Sequence, residues 1–305
     1  MDRPQLTVRA QVGADEAPSA ERSRRGFPAR STTALTTIRP PATRWIDRYL
    51  QDGFAVIPGV FSRAEIAELG GYFDEVLAWA SGARETTKHG LTEFRVVPIA
   101  GVPTLKFAKW AAAFHPGLDR IRTAPGLLSL VFAALGPDLR QITNQMHWKN
   151  PGDEVSFQMH QDCTFRKPDA AYRNLSRSFL QTAIAVDPCS EENGCLRVVA
   201  RSHREAKALL AGGYDGWDAN GVNRGVLERF APAVSVLLDP GDVVIWNPFT
   251  IHGSRPNRSR RSRRLYINGF ARAADCDHGI RVTEGGKVLP LAWGPGTRWD
   301  VVEER

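Results

Sequence analysis

The apolar residues of this chain change period part-way along it, and that change constrains the fold more than any other feature. Beyond about residue 139 they alternate. LRQITNQMHWK (139–149), FLQTAIAVD (179–187), CLRVV (195–199), AVSVLL (233–238), DVVIW (242–246) and RLYINGFA (264–271) each read as a strand. Turn signals such as NPGD and DPGD separate them. Upstream the spacing is helical. RWIDRYLQDG (44–53) reads as a short amphipathic helix closed by Gly53, followed by FAVIPGVF (54–61) as strand and turn. SRAEIAELGGYFDEVLAWA (62–80) is a helix with Ser62 as its cap and Glu65 three residues on, and PGLLSLVFAALG (125–136) is another. Helices first and many antiparallel strands later give an α+β, mainly β fold or a helix-flanked β-sandwich.

Residues 1–42 are rich in Arg, Ser, Thr, Pro and Ala and read as a disordered N-terminal tail, which leaves residues 43–305 as a single domain. The net charge of +7 raises the rival reading of a basic, nucleic-acid-binding protein. Its arginines gather in the first 44 residues and in RPNRSRRSRR (255–264), without interleaved aromatics, so no nucleic acid is expected. The second cluster reads as a solvated loop in which two of six arginines have specific tasks. No apolar stretch is long enough for a membrane span, and no signal peptide is visible. The four cysteines form no CxxC pair and read as reduced thiols of a cytoplasmic protein.

Two of the seven histidines sit two residues before a carboxylate: His160-x-Asp162 and His203-x-Glu205. An extended His-x-Asp projects both side chains to one side of the chain. A mononuclear non-haem iron site needs one further imidazole and an open face. His252, after the strand DVVIW, supplies the imidazole. Arg263 follows it at the start of RLYINGFA, where a guanidinium can bind a carboxylate bidentately. His203 reads instead as the opening of a helix REAKALLA, with Glu205 stabilising its N-terminus. His147 reads as a hydrogen-bonded inner residue of its strand.

HQD (160–162), EENGCLRVVARSHR (191–204), DPGDVVIWNPFTIHGSRPNRS (239–259), Arg263 and the opening FAVIPGVFSRAEI together resemble the phytanoyl-CoA dioxygenase family. That resemblance implies a double-stranded β-helix (jelly roll, cupin-like) core flanked by N-terminal helices. It implies an iron(II)- and 2-oxoglutarate-dependent dioxygenase that uses O2. It assigns iron binding to His160, Asp162 and His252, and the distal carboxylate of 2-oxoglutarate to Arg263 and Ser254. Lys106 and Gln145 would also touch the co-substrate, and Arg264 is the runner-up to Arg263. Halogenating relatives lack the carboxylate that Asp162 retains, so hydroxylation of a small organic substrate, in secondary metabolism, is expected. A metal-dependent jelly-roll enzyme without 2-oxoglutarate is the alternative. Ala183 stands where many relatives carry tryptophan, and ARSH (200–203) replaces their PGSH. Trp148, Phe165, Arg201, Trp246 and Asn247 are candidate lining residues, and the helical insert 203–230 is a candidate lid.

Overall fold

A computed structural model of the chain describes residues 44–210 and 224–291. The expected tail and part of the insert lie outside the described residues. The strands are β1 (Phe54–Ile57), β2 (Thr87–His89), β3 (Thr92–Ile99), β4 (Val102–Lys109), β5 (Leu139–Lys149), β6 (Phe157–His160) and β7 (Phe179–Ala185). They continue as β8 (Leu196–Val198), β9 (Val234–Val236), β10 (Val243–Trp246), β11 (His252–Ser254), β12 (Arg263–Arg272), β13 (Ile280–Glu284) and β14 (Lys287–Val288). The larger sheet runs β1-β10-β7-β12-β5-β4-β3-β2, with β13 also pairing to β5; the smaller runs β6-β11-β8-β9. Their pairings are antiparallel. The two sheets face each other, forming the expected jelly roll with helices on the outer face of the larger sheet.

Alternation along the strands builds two cores from the same segments. Met146 and Trp148 of β5, Leu180 and Ile184 of β7, and Tyr266 and Phe270 of β12 face outward. They meet Leu69, Phe73 and Val76 of the helix Arg63–Trp79. Leu127, Leu130 and Val131 of the helix Pro125–Leu135 join them. Burying each such side chain contributes about 1.5–3 kcal/mol. The alternate residues Ala183, Ala185, Val244, Trp246 and Leu265 face inward and pack against Leu196, Val198 and Val236 of the smaller sheet.

The helix starts follow local chemistry. The Ser62 hydroxyl accepts from the Glu65 N–H at 3.3 Å while the Glu65 carboxylate accepts from the Ser62 N–H at 2.8 Å, a reciprocal cap. Pro125 opens the later helix and Gly136, at φ 85°, ends it.

Two departures from the sequence reading stand out. REAKALLA does not form a helix from His203: Ser202–Glu205 is a single 3-10 turn, stopped at Ala206, whose φ is 47°. His203 Nε2 lies 3.1 Å from the Leu50 carbonyl and Arg204 donates to the Gln51 carbonyl at 3.0 Å, so both are tied to the end of the first helix, Arg44–Asp52. These contacts outweigh a modest helix preference. Residues 211–223 of the insert lie outside the described residues, and Arg224–Leu227 is one helical turn. The strands β2, β3 and β4 were not expected from the sequence. Pro98 and Pro103 interrupt their pattern, yet they face each other near the hairpin end, where lost N–H donors cost least.

Candidate metal centre and co-substrate pocket

The antiparallel pairing of β6 with β11 sets His252 directly opposite His160. Their imidazole centroids are 4.3 Å apart. The chain stays extended through Gln161, at φ −123° and ψ 130°, before the 3-10 turn Asp162–Phe165 begins. Alternation then sends the Gln161 side chain away, where its amide donates to the Phe249 carbonyl at 2.7 Å, and returns Asp162 to the side of His160. One donor atom from each of His160, Asp162 and His252 lies within 4.8 Å of the others.

Both imidazoles are oriented by the backbone. His160 Nδ1 sits 2.7 Å from the Gln158 carbonyl and His252 Nδ1 sits 2.8 Å from the Thr250 carbonyl. A proton on each Nδ1 satisfies those carbonyls and leaves each Nε2 lone pair facing the centre. The Nε2 atoms are 3.9 Å and 3.6 Å from the Asp162 carboxylate oxygens. Burial, and then the charge of His252, push His160 down to about 4, so it is neutral near pH 7. Burial works against a charge on Asp162, but the two imidazoles, Arg166 and the Trp246 N–H outweigh it and hold the carboxyl below its usual range. Trp246 Nε1 donates to Asp162 Oδ2 at 2.8 Å. Two imidazoles and one carboxylate, each steered by a partner, are a donor set suited to iron(II).

Arg263 is 2% exposed and faces inward from β12. Among the described residues it forms no ion pair, and its Nε has no hydrogen-bond partner. Arg264 faces the other way, where it pairs with Asp187 at 2.9 Å and Asp74 at 2.8 Å. The register places Lys149 opposite Arg263. Lys149 is also fully buried, and its ammonium donates to Ser254 Oγ at 2.7 Å and to the Arg255 carbonyl. Burial, and then the charge of Arg263, hold Lys149 well below the usual lysine range. A buried guanidinium beside a buried amine, with no carboxylate in ion-pair reach of either among the described residues, makes a pocket that fits an anion. The distal carboxylate of 2-oxoglutarate has that chemistry.

A model of the phytanoyl-CoA dioxygenase family matches residues 49–265. The chain belongs to that family. It is therefore an oxygenase of the iron(II)- and 2-oxoglutarate-dependent class, with O2 as oxidant. Methylphosphonate hydroxylase of Gimesia maris is 26% identical over 73% of this chain and 78% of its own. The peroxisomal phytanoyl-CoA dioxygenase of Homo sapiens is 27% identical over 75% of this chain and 68% of its own. Among solved structures, the α-ketoglutarate-dependent carbocyclase SnoK of nogalamycin biosynthesis superposes with a TM-score of 0.60 at 22% identity, over 78% of this chain and 87% of its own. Iron-bound EctD of S. alaskensis gives 0.63 at 18% identity, over 79% of this chain and 80% of its own. Both share the jelly-roll fold.

The family member's other expected site residues separate cleanly. Gln145 and Lys106 border the same chamber: Gln145 Oε1 is 2.9 Å from His147 Nε2, and the Lys106 ammonium is 4.7 Å from the Phe157 ring centre. His147 is stacked between Phe107 and Phe157, at 5.4 Å and 4.8 Å. Burial and the neighbouring Arg263 and Lys149 keep it neutral. Phe165 stands edge-on to His160 at 5.6 Å and is 45% exposed. Ala183 lies in the inward apolar cluster, fully buried.

Trp148 instead packs in the outer core against Phe73 at 5.0 Å. Arg201 is exposed and pairs with Asp52. Asn247 braces the chain before His252, donating to the Ser176 carbonyl at 2.7 Å and accepting from the Phe249 N–H at 3.0 Å. Of the arginine cluster, Arg255, Arg258, Arg260 and Arg261 are exposed, while Arg263 and Arg264 have specific surroundings. The four cysteines are free and buried. No helix among the described residues is long and apolar enough to cross a membrane.

Lys149 was not singled out by sequence; only its register opposite Arg263 brings it to the pocket. Trp246 has a sharper role than lining, because it holds the carboxylate. Trp246→Phe removes that N–H while keeping the ring. Iron affinity is expected to fall about 10- to 100-fold, as for other partners of metal ligands. Competition against a chelator measures it, and an unchanged dissociation constant would show the N–H to be dispensable.

Proposed function

We propose that His160, Asp162 and His252 hold iron(II), that Arg263 and Ser254 bind the distal carboxylate of 2-oxoglutarate, and that the protein hydroxylates a small organic substrate. The buried Arg263 guanidinium, without an ion pair among the described residues and opposite the Lys149 that holds Ser254 two residues past His252, carries this reading. When bound, the iron with 2-oxoglutarate and O2 supplies the oxidising power, releasing succinate and CO2.

The chain's own part is positioning and exclusion. Arg263 offers a rigid fork for a carboxylate. Lys149 fixes the Ser254 hydroxyl oxygen through its ammonium, leaving the hydroxyl proton for the same carboxylate. Gln145 and Lys106 line the chamber towards the co-substrate. The inward cluster of Ala183, Val244 and Leu265 keeps the interior apolar. Retention of Asp162 favours hydroxylation over halogenation, since the carboxylate occupies the position a halide would need. Relatives named for small-molecule substrates, methylphosphonate among them, support a small substrate here too. Residues 43–305 act as one catalytic domain in this reading, in a reducing, cytoplasmic setting suited to four free thiols.

Succinate release from iron(II), 2-oxoglutarate and O2 across a substrate library is the direct test. Release is expected to require both iron and 2-oxoglutarate and to rise with substrate. Failure to bind either would overturn the assignment.

A further inference from the structure

Three arginines are buried among the described residues: Arg122, Arg166 and Arg263. Arg122 is paired with Asp119 and with Gln141. Arg263 waits for the co-substrate in the reading above. Arg166 is left to be explained. It is 9% exposed and forms no ion pair among the described residues. Its Nε has no hydrogen-bond partner. One terminal nitrogen donates to Thr143 Oγ1 at 3.1 Å, and the guanidinium lies 4.9 Å from the Phe179 ring centre. Its charge helps keep Asp162 ionised through space, but its direct partners are only the Thr143 hydroxyl and the Phe179 ring, which leaves room for a bound anion.

Arg166 forms part of the wall of a cavity of about 250 Å³, beside Cys163 and Thr164. The exposed Lys167 and Asp169 also line that cavity and pair with each other. Inward, Thr143 stands opposite Gly269, and Gly269 stands opposite Gln181. A side chain at Gly269 would collide with Gln181 Oε1 and with Thr143, so glycine keeps these two polar groups close. Gln181 Oε1 is itself buried without a partner.

Arg166 also lies on the metal side of the barrel. It ends the 3-10 turn that Asp162 begins. Gln181 pairs in register with Trp246, whose indole holds Asp162. Arg263 is at the far end of β12 from Gly269, about 20 Å along the strand at ~3.3 Å per residue. One unpaired guanidinium therefore stands at the co-substrate end and the other next to the triad's carboxylate turn.

We propose that Arg166, with Thr143, binds an anionic group of the primary substrate, a carboxylate or a phosphonate, and so selects small organic anions for oxidation. The proposal rests on the reading that the triad carries iron and 2-oxoglutarate. A neutral substrate of the same shape would leave the guanidinium without a direct charged partner, which is the source of selectivity.

The test uses the full chain loaded anaerobically with iron(II) and 2-oxoglutarate. The metal-to-ligand charge-transfer band of that complex reports loading. Ethylphosphonate, butyrate and the neutral butyramide are then titrated, reading the shift of the band and, in parallel, binding heat. Ethylphosphonate or butyrate is expected to shift the band and butyramide is not; whichever anion binds tighter identifies the head group. Arg166→Gln is expected to keep the band and to weaken the anion at least about tenfold, with Arg166→Lys recovering part of the loss. Equal responses to anions and amide, or no response to any of the three, overturn the proposal. So does loss of the band in Arg166→Gln, which would make the arginine a support for Asp162. Absence of the band in the unmodified protein would instead sink the iron and 2-oxoglutarate assignment itself.

Discussion

Arg263→Ala is expected to weaken 2-oxoglutarate binding at least about 100-fold while iron(II) still binds. Removing one partner of a buried ion pair costs about 3–5 kcal/mol, and each 1.4 kcal/mol is about a factor of ten. The loss falls on the loaded state alone, because the guanidinium has no anionic partner among the described residues without the co-substrate. A second consequence separates a binding residue from a structural one. In the absence of 2-oxoglutarate the buried charge of Arg263 sits beside that of Lys149 and is a burden on the fold. Arg263→Met keeps most of the volume and removes that burden, so the unliganded variant is expected to unfold at the same or a higher denaturant concentration. Anaerobic titration with 2-oxoglutarate and equilibrium denaturation measure the two effects. Unchanged 2-oxoglutarate turnover in Arg263→Ala would sink the assignment. Arg263→Lys is not a rescue, because an ammonium lacks the planar fork.

Asp162→Ala is expected to lower iron affinity by more than about 100-fold, beyond the cost typical of a partner of a ligand. The triad would keep two imidazoles and lose its carboxylate donor. The Trp246 N–H would be left without the acceptor 2.8 Å away. An orphaned buried donor costs about 1–3 kcal/mol, part of which is offset by relief of the buried carboxylate. The fold should therefore survive, which circular dichroism checks, while iron content after anaerobic reconstitution collapses. Iron retained at the unmodified level would remove Asp162 from the ligand set. The comparison with Trp246→Phe is informative: the ligand and its partner act on the same oxygen, so their effects should be far from additive.

Much of the larger sheet was legible because its signals are local. β5 spans the same residues, 139–149, that alternate in the sequence. The Ser62–Glu65 cap is a four-residue pattern whose chemistry does not depend on the rest of the chain. The His-x-Asp geometry follows from alternation through one extended residue, Gln161. The helix expected from His203 failed for the opposite reason. Its partners are the carbonyls of Leu50 and Gln51, some 150 positions away in the chain. Helix propensity has no knowledge of such contacts. Trp148 and Trp246 looked alike as aromatic flanks, but alternation put one against Phe73 and the other against Asp162.

By itself the sequence determined the change from early helices to the later strands β5, β7, β8, β9, β10 and β12, the pair His160 and Asp162 on one side of the chain, and, through His252 and Arg263 in order, the family and its class of chemistry. Those properties follow from local period and from residue types whose chemistry is fixed. Only the tertiary structure decided that His252 stands opposite His160, that Arg263 faces inward while Arg264 pairs with Asp187 outside, and that Lys149 joins Arg263. It alone exposed the unpaired Arg166. Register between distant strands sets which side chains share a chamber, and burial sets which charges lack a partner. Both are non-local, because each depends on where the rest of the chain has gone.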